Sequence, residues 1–171
     1  MTAPFVTPAW LADHLHAPDV VVVDGSWYLP TMKRDPEAEY LAGHIPGAVR
    51  FDIDRVRDTT SDLPHMLPSP EAFASAVRAK GIGDGMKIVV YDGAGLFAAP
   101  RVYWTFKTFG AADVVILEGG FPAWTAAGLP VEDGPERPRT PRHFTARLDH
   151  TAVADLAMVR RALETGSAQL L

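Results

Sequence analysis

The sequence predicts an α/β domain: a mostly parallel central sheet flanked by helices on both faces. Three features carry this prediction. Short β-branched apolar runs recur at Val20-Val21-Val22-Val23-Asp24, Met86 to Tyr91 and Asp113 to Leu117. Segments with helical apolar spacing lie between them, and each run ends at a glycine turn, Asp24-Gly25, Asp92-Gly93 or Gly119-Gly120. Uninterrupted apolar strands suit a sheet covered on both faces, and strand–helix–strand alternation suits parallel pairing.

The elements follow in order. Thr7-Pro8 opens a helix carrying Trp10, Leu11 and Leu15, with proline in the first turn, where its missing N–H costs nothing. The Val20 run is the first strand. Tyr28 to Asp62 is long and polar, and reads as a functional loop or one structured by packing. Ser69-Pro70-Glu71 caps a second helix bearing Phe73, Ala76 and Val77 and stopped by Gly81. Met86 to Tyr91 follows as a strand, and Ala98 to Phe109 as a helix with Val102, Phe106 and Phe109 on one face. Asp113 to Leu117 is the next strand, and Phe121 to Ala127 a short helix. Pro130 to Pro141 reads as a linker, Ala152 to Glu164 as a helix ended by Gly166, and Ala168 to Leu171 as the start of another buried strand. A strand with nothing to pair with implies that a longer protein continues from it.

Composition narrows the chemistry. The 171 residues include no cysteine, which excludes disulfides, thiolate metal sites and a thiol nucleophile within this chain. The net charge of -5, from 16 Lys+Arg against 21 Asp+Glu, gives no support for nucleic-acid or anionic-membrane binding. No apolar run approaches the roughly 20 residues of a membrane helix. Met1 to Leu15 has no basic start and is broken by Pro4, Pro8 and Asp13, so a cytoplasmic location is expected. His14, His16, His143 and His150 have no ligand spacing, so no metal is expected.

The carboxyl ends of parallel strands are where ligands bind, which directs attention to Asp24 and Asp92. Asp92 to Arg101 joins a strand end to a helix start and reads as a cradle for an anion such as phosphate or a sulfur oxyanion. Gly93-x-Gly95 lacks the rest of a nucleotide fingerprint.

Several motifs resemble the N-terminal rhodanese domain of the two-domain thiosulfate and 3-mercaptopyruvate sulfurtransferases: His44-Ile45-Pro46-Gly47-Ala48, Asp52-Ile53-Asp54, Pro64-His65-Met66-Leu67-Pro68, Val90-Tyr91-Asp92, Ala99-Pro100-Arg101-Val102-Tyr103-Trp104 and Gly119-Gly120-Phe121-Pro122-Ala123-Trp124. The match runs in order from Pro8 to Pro130. The resemblance implies a rhodanese-like fold over residues 1–130, a linker over 131–150, and, at 151–171, a linker helix and the first strand of a second rhodanese domain. That second domain, the expected partner, would carry the nucleophilic cysteine, and Asp92 stands at the matching position of this silent twin. The implied reaction moves sulfane sulfur from 3-mercaptopyruvate or thiosulfate to a thiol or cyanide through a cysteine persulfide, with no cofactor. This chain alone is then expected to be inactive.

The resemblance also implies site residues. Asp54 and His65 match an Asp and a His that work with a serine of the cysteine loop, and this His tilts the reading toward 3-mercaptopyruvate. Trp27, Leu96 and Phe97 match an apolar pocket wall, and Arg101 would attract an anionic donor or pair with a carboxylate across the domain interface. Read without the resemblance, His65 is equally a loop histidine bonding backbone, Asp54 a turn cap, and Trp27 and Phe97 packing residues. His44 reads as structural, and Asp24 as bonding backbone near the Gly47 turn. A stand-alone silent module for binding or regulation is the alternative function. For a half-protein, an apolar face left without its twin implies association, or a bound companion fragment, in solution.

Overall fold

The computed structural model describes residues 4–169, and among them five strands form one sheet in the order β1-β5-β4-β2-β3. The strands are β1 (Phe5–Val6), β2 (Val20–Asp24), β3 (Val49–Arg50), β4 (Lys87–Tyr91) and β5 (Asp113–Leu117). Every pairing is parallel. The helices are α1 (Pro8–His14), α2 (Pro36–Ala42), α3 (Pro70–Ala79), α4 (Ala99–Thr108), α5 (Gly120–Ala126) and α6 (Leu156–Thr165).

Because strand side chains alternate between faces, the valine run splits between two cores. Val21 and Val23, with Ile88, Val90, Val114 and Ile116, join Phe73, Val77, Val102 and Phe106 of α3 and α4. Val20 and Val22, with Val89, Tyr91, Val115 and Leu117, join Leu11, Tyr40 and Trp124 of α1, α2 and α5. The sheet is thus covered on both faces, as its continuous apolar strands require. The expected caps are present: Thr7 Oγ1 accepts from Trp10 N and Ser69 Oγ from Ala72 N, each one residue before a proline.

Three segments differ from the sequence expectation. The stretch from Tyr28 to Asp62 holds regular elements where a loop was expected: it contains α2, capped by the Asp35 carboxylate on Glu37 N and Ala38 N, and the short strand β3. The segment 131–150, expected as a linker, is a strap fastened to the body. His44 and Glu132 exchange backbone hydrogen bonds, and Glu136 Oε2 accepts from Arg50 N. Phe144 is 2% exposed, with its ring 5.6 Å from that of Phe73 and its carbonyl accepting from Arg78 Nε and an Arg78 terminal nitrogen. Of the terminal strand expected at 168–171, Ala168 and Gln169 are irregular, and Leu170 and Leu171 lie outside the described residues.

No helix is long and apolar enough to cross a membrane, and no group of three or more His, Cys, Asp or Glu residues is placed to hold a metal, both among the described residues.

Candidate functional site

The carboxyl ends of β2 and β4 lie side by side, with Asp24 in register with Tyr91, so the loops that follow them share one edge of the sheet. From β2 the chain runs to Trp27, and from β3 to Asp52-Ile53-Asp54. Asp52 Oδ1 accepts from Asp54 N at 2.8 Å, a local turn that lifts Asp54 clear of the backbone. The Asp54 carboxylate is then free for side-chain partners. Its Oδ1 lies 2.7 Å from His65 Nε2, and its Oδ2 accepts from Trp27 Nε1 at 3.0 Å. Asp54 is therefore no cap, and His65 reaches a carboxylate rather than backbone.

His65 adopts φ 57°, a left-handed conformation uncommon for a residue with a side chain. The flanking backbone is fixed by its own bonds: Asp58 N donates to Met66 O at 2.9 Å, and the Arg101 guanidinium donates to the His65 carbonyl. The Trp27 ring meets His65 edge-on at 4.9 Å and stacks parallel to Phe97 at 6.5 Å. Phe97 and Leu96 are 44% and 55% exposed, so they belong to the surface of the mouth and not to the core.

Arg101 has a partner within this domain that was not expected. It is half-buried, its guanidinium sits 4.7 Å over the Trp104 ring, and it donates to the carbonyl of His65. Burial draws its pKa below the ordinary arginine value. Being placed early in α4, where a cation opposes the helix dipole, it is offset by that carbonyl.

Asp92 also departs from expectation. It is fully buried and does not stand at the mouth of an anion cradle; it fills the cradle from inside. Its Oδ1 accepts from Ala94 N at 2.9 Å, and its Oδ2 from Phe97, Ala98 and Ala99 N at 2.7, 2.8 and 2.8 Å. These are the N–H groups that the sequence reading offered to an external anion. The carboxylate also supplies the cap for α4 that Ala98 lacks.

Beside this loop lies a cavity of about 410 Å³ lined by Ser26, Tyr28, Arg34, Glu39, Gly93 and Phe121 among others; Ser26, Tyr28, Arg34 and Glu39 were not among the site residues expected from the sequence. Its polar groups are committed to one another. Arg34 pairs with both Glu39 oxygens, Tyr28 Oη donates to Glu39 Oε2 at 2.7 Å, and Arg34 also donates to Gly93 O. The Arg34 hydrogen bond holds the Glu39 carboxyl below its ordinary range, while burial and then Glu39 push the Tyr28 phenol up. The network pins Gly93, where a Cβ would lie 2.2 Å from Tyr28 Oη. Glycine here was visible in sequence, but not its reason, because Tyr28 and Arg34 are remote along the chain.

His44 is buried, with Nδ1 2.8 Å from Tyr40 O, as a structural residue should be. Asp24 differs from expectation: it accepts from Ser26 N and lies 3.6 Å from Arg50, while the Gly47 turn is held by Glu132 and Arg139.

Residues 7–127 match the rhodanese-like domain family. The chain belongs to that family. Among curated rhodanese relatives, it is 41% identical over 169 residues to the 3-mercaptopyruvate sulfurtransferase of Escherichia coli K12, covering 98% of this chain and 59% of the relative. It is 47% identical over 129 residues to the mitochondrial thiosulfate/3-mercaptopyruvate sulfurtransferase 1 of Arabidopsis thaliana, covering 75% of this chain and 34% of the relative. The crystal structure of SseA from Escherichia coli, a 3-mercaptopyruvate sulfotransferase with the rhodanese fold, superposes with a TM-score of 0.92 at 41% identity, over 98% of this chain and 64% of that one. Tum1 from Saccharomyces cerevisiae superposes at 0.83 with 26% identity, over 95% and 56%. The match thus spans 59% of the length of the Escherichia coli relative and 34% of that of the Arabidopsis thaliana one.

Proposed function

We propose that this domain is the silent, N-terminal half of a sulfurtransferase and lends Asp54 and His65 to a cysteine carried by a second rhodanese domain of the same protein. The observation that carries the reading is the 2.7 Å bond between His65 Nε2 and Asp54 Oδ1, set in an exposed apolar mouth. A histidine oriented by a carboxylate holds one nitrogen ready to take or give a proton. The domain itself has no thiol, and its own anion cradle is filled by Asp92.

In this reading the partner's thiolate attacks the sulfur of 3-mercaptopyruvate. The C–S bond breaks, its electrons pass to the enolate of pyruvate, and a proton completes pyruvate while the sulfur stays on cysteine as a persulfide. A thiol or cyanide then takes the outer sulfur and the thiolate returns. His65 serves the first step by accepting a proton from a nearby hydroxyl, which it can then pass to the developing enolate. Trp27, Leu96 and Phe97 form the apolar wall that keeps water from the persulfide. Thiosulfate is the second donor, and the cytoplasm is the setting, although one relative is named mitochondrial.

Thiocyanate formation and pyruvate release test this. The 171-residue chain alone should give only background. In the full-length protein, His65→Ala and Asp54→Asn should each lower kcat/KM for 3-mercaptopyruvate by about 10²- to 10⁴-fold, the usual contribution of a general acid or base. Turnover by the chain alone, or full activity without the His65 imidazole, would overturn the proposal.

A further inference from the structure

The hydrogen bonds at the mouth are arranged in a definite direction. Trp27 Nε1 can only donate, and it donates to Asp54 Oδ2 at 3.0 Å. That leaves Oδ1 facing His65 Nε2 at 2.7 Å. An ionised carboxylate only accepts, so Nε2 must carry a proton, and a neutral imidazole then has Nδ1 bare. Among the described residues Nδ1 has no hydrogen-bond partner.

Two residues hold this arrangement from opposite sides. The indole of Trp27 is itself aligned by its parallel stack on Phe97 and its edge contact with His65, so its N–H direction is set by packing. Turning the Asp54 carboxylate to release His65 would break the bond to Trp27 as well. On the backbone side, His65 occupies φ 57°, and Arg101 donates to its carbonyl from α4. Arg101 follows directly on the loop that Asp92 holds together, so the imidazole is referenced to the rigid end of β4.

We propose that Trp27 and Arg101 are positioning residues for His65, Trp27 acting through the Asp54 carboxylate and Arg101 through the His65 carbonyl. Together they commit the imidazole to the Nε2–H tautomer and present Nδ1 as the working nitrogen. Arg101 does this without touching substrate, and Trp27, which is also part of the apolar wall, does it through its N–H alone. Their purpose rests on the sulfurtransferase reading, but the tautomer is a property of this domain alone.

The test is long-range proton–nitrogen correlation spectroscopy of the chain labelled with ¹⁵N-histidine, above the imidazole titration, with His65 assigned through His65→Gln. The unaltered chain should show a pyrrole-type Nε2 and a pyridine-type Nδ1 at His65. Trp27→Phe keeps the ring contacts and removes only the N–H; Arg101→Met keeps the apolar stem over Trp104 and removes the donors. Each should raise the ratio of the Nδ1–H to the Nε2–H form about fivefold, the effect of one lost hydrogen bond. An unchanged His65 pattern in either folded variant, or an Nδ1–H form in the unaltered chain, overturns the proposal. Should a variant not fold, the unaltered chain still decides: a Trp27 indole N–H exchanging as fast as a fully exposed one would refute the inference. Failure of the activity test with intact tautomer spectra would remove the sulfurtransferase role and leave the positioning intact.

Discussion

Asp92 is a carboxylate with no exposed surface whose oxygens accept four backbone N–H groups. Replacing it by asparagine turns part of an acceptor into a donor and sets that donor against the same N–H groups. Bonds to a charged acceptor are worth more than neutral ones, and a buried donor left unpaired is costly. Asp92→Asn should lower stability by about 2–4 kcal/mol. For a domain of this size that corresponds to a fall in Tm of about 5–15 °C, read by circular dichroism or calorimetry. A shift of less than about 2 °C would mean that the N–H groups find other partners in the loop.

Among the elements, the strap from 131 to 150 departs most from its reading as a linker. Phe144 packs against Phe73 and Phe106 and closes the core under α3 and α4. Phe144→Ala should cost about 3–5 kcal/mol, the range for a buried phenylalanine, measured by denaturant titration. A loss below about 1 kcal/mol would show that the strap lies on the core without completing it. The next residue supplies a pH dependence. Asp84 accepts the backbone N–H of Thr145 at 2.8 Å and then its hydroxyl at 2.7 Å, and these bonds hold the carboxyl below its ordinary value of 3.8. A lowered pKa stabilises above the unfolded value, so the anchor is fully present above 3.8 and is lost as pH falls through the lower folded value. The protection factor of the Thr145 amide should fall in that acid window, and in Asp84→Asn the fall should be absent. A Thr145 amide whose protection is flat through the window would discount the anchor.

The strap and α2 were hard to read for different reasons. In α2 the Asp35-Pro36 start is the same device as Thr7-Pro8 and Ser69-Pro70, but Tyr40 is its only buried residue, so the repeated apolar spacing that marks α3 and α4 is missing. In the strap, a lone phenylalanine has no period at all. The two-residue strands β1 and β3 exist only by pairing with neighbours distant in sequence.

At the scale of the whole molecule, the three long strands and the helices α1, α3, α4 and α5 were legible because the apolar runs of β2, β4 and β5 are uninterrupted, as strands covered on both faces require, with helical spacing beside them. The site was legible only through motif resemblance. Trp27 and Asp54 stand 27 positions apart, and no local signal joins them; the fold does so by bringing the ends of β2 and β3 to one edge. Asp52-Ile53-Asp54 was a partial exception, since a short acidic pair of that spacing is a turn former. The same edge gathers apolar surface. Leu63 and Met66 flank His65, Leu96 and Phe97 flank the Trp27 stack, and all four are exposed. This domain should therefore associate with itself in the absence of a covering partner, seen as a concentration-dependent rise in mass by light scattering. Phe97→Ser should weaken that rise. A strictly monomeric chain at high concentration would indicate that the patch is too small to drive association.

The cradle at the end of β4 has one more consequence. Asp92 is in effect a ligand that cannot leave: tied to its site by a few bonds and already oriented, it competes at an effective concentration that no dissolved phosphate, sulfate or sulfite attains. Free anions in the surrounding medium are shut out of that loop by mass action, without any wall being built against them. The open chemistry of the edge is left to the imidazole beside it.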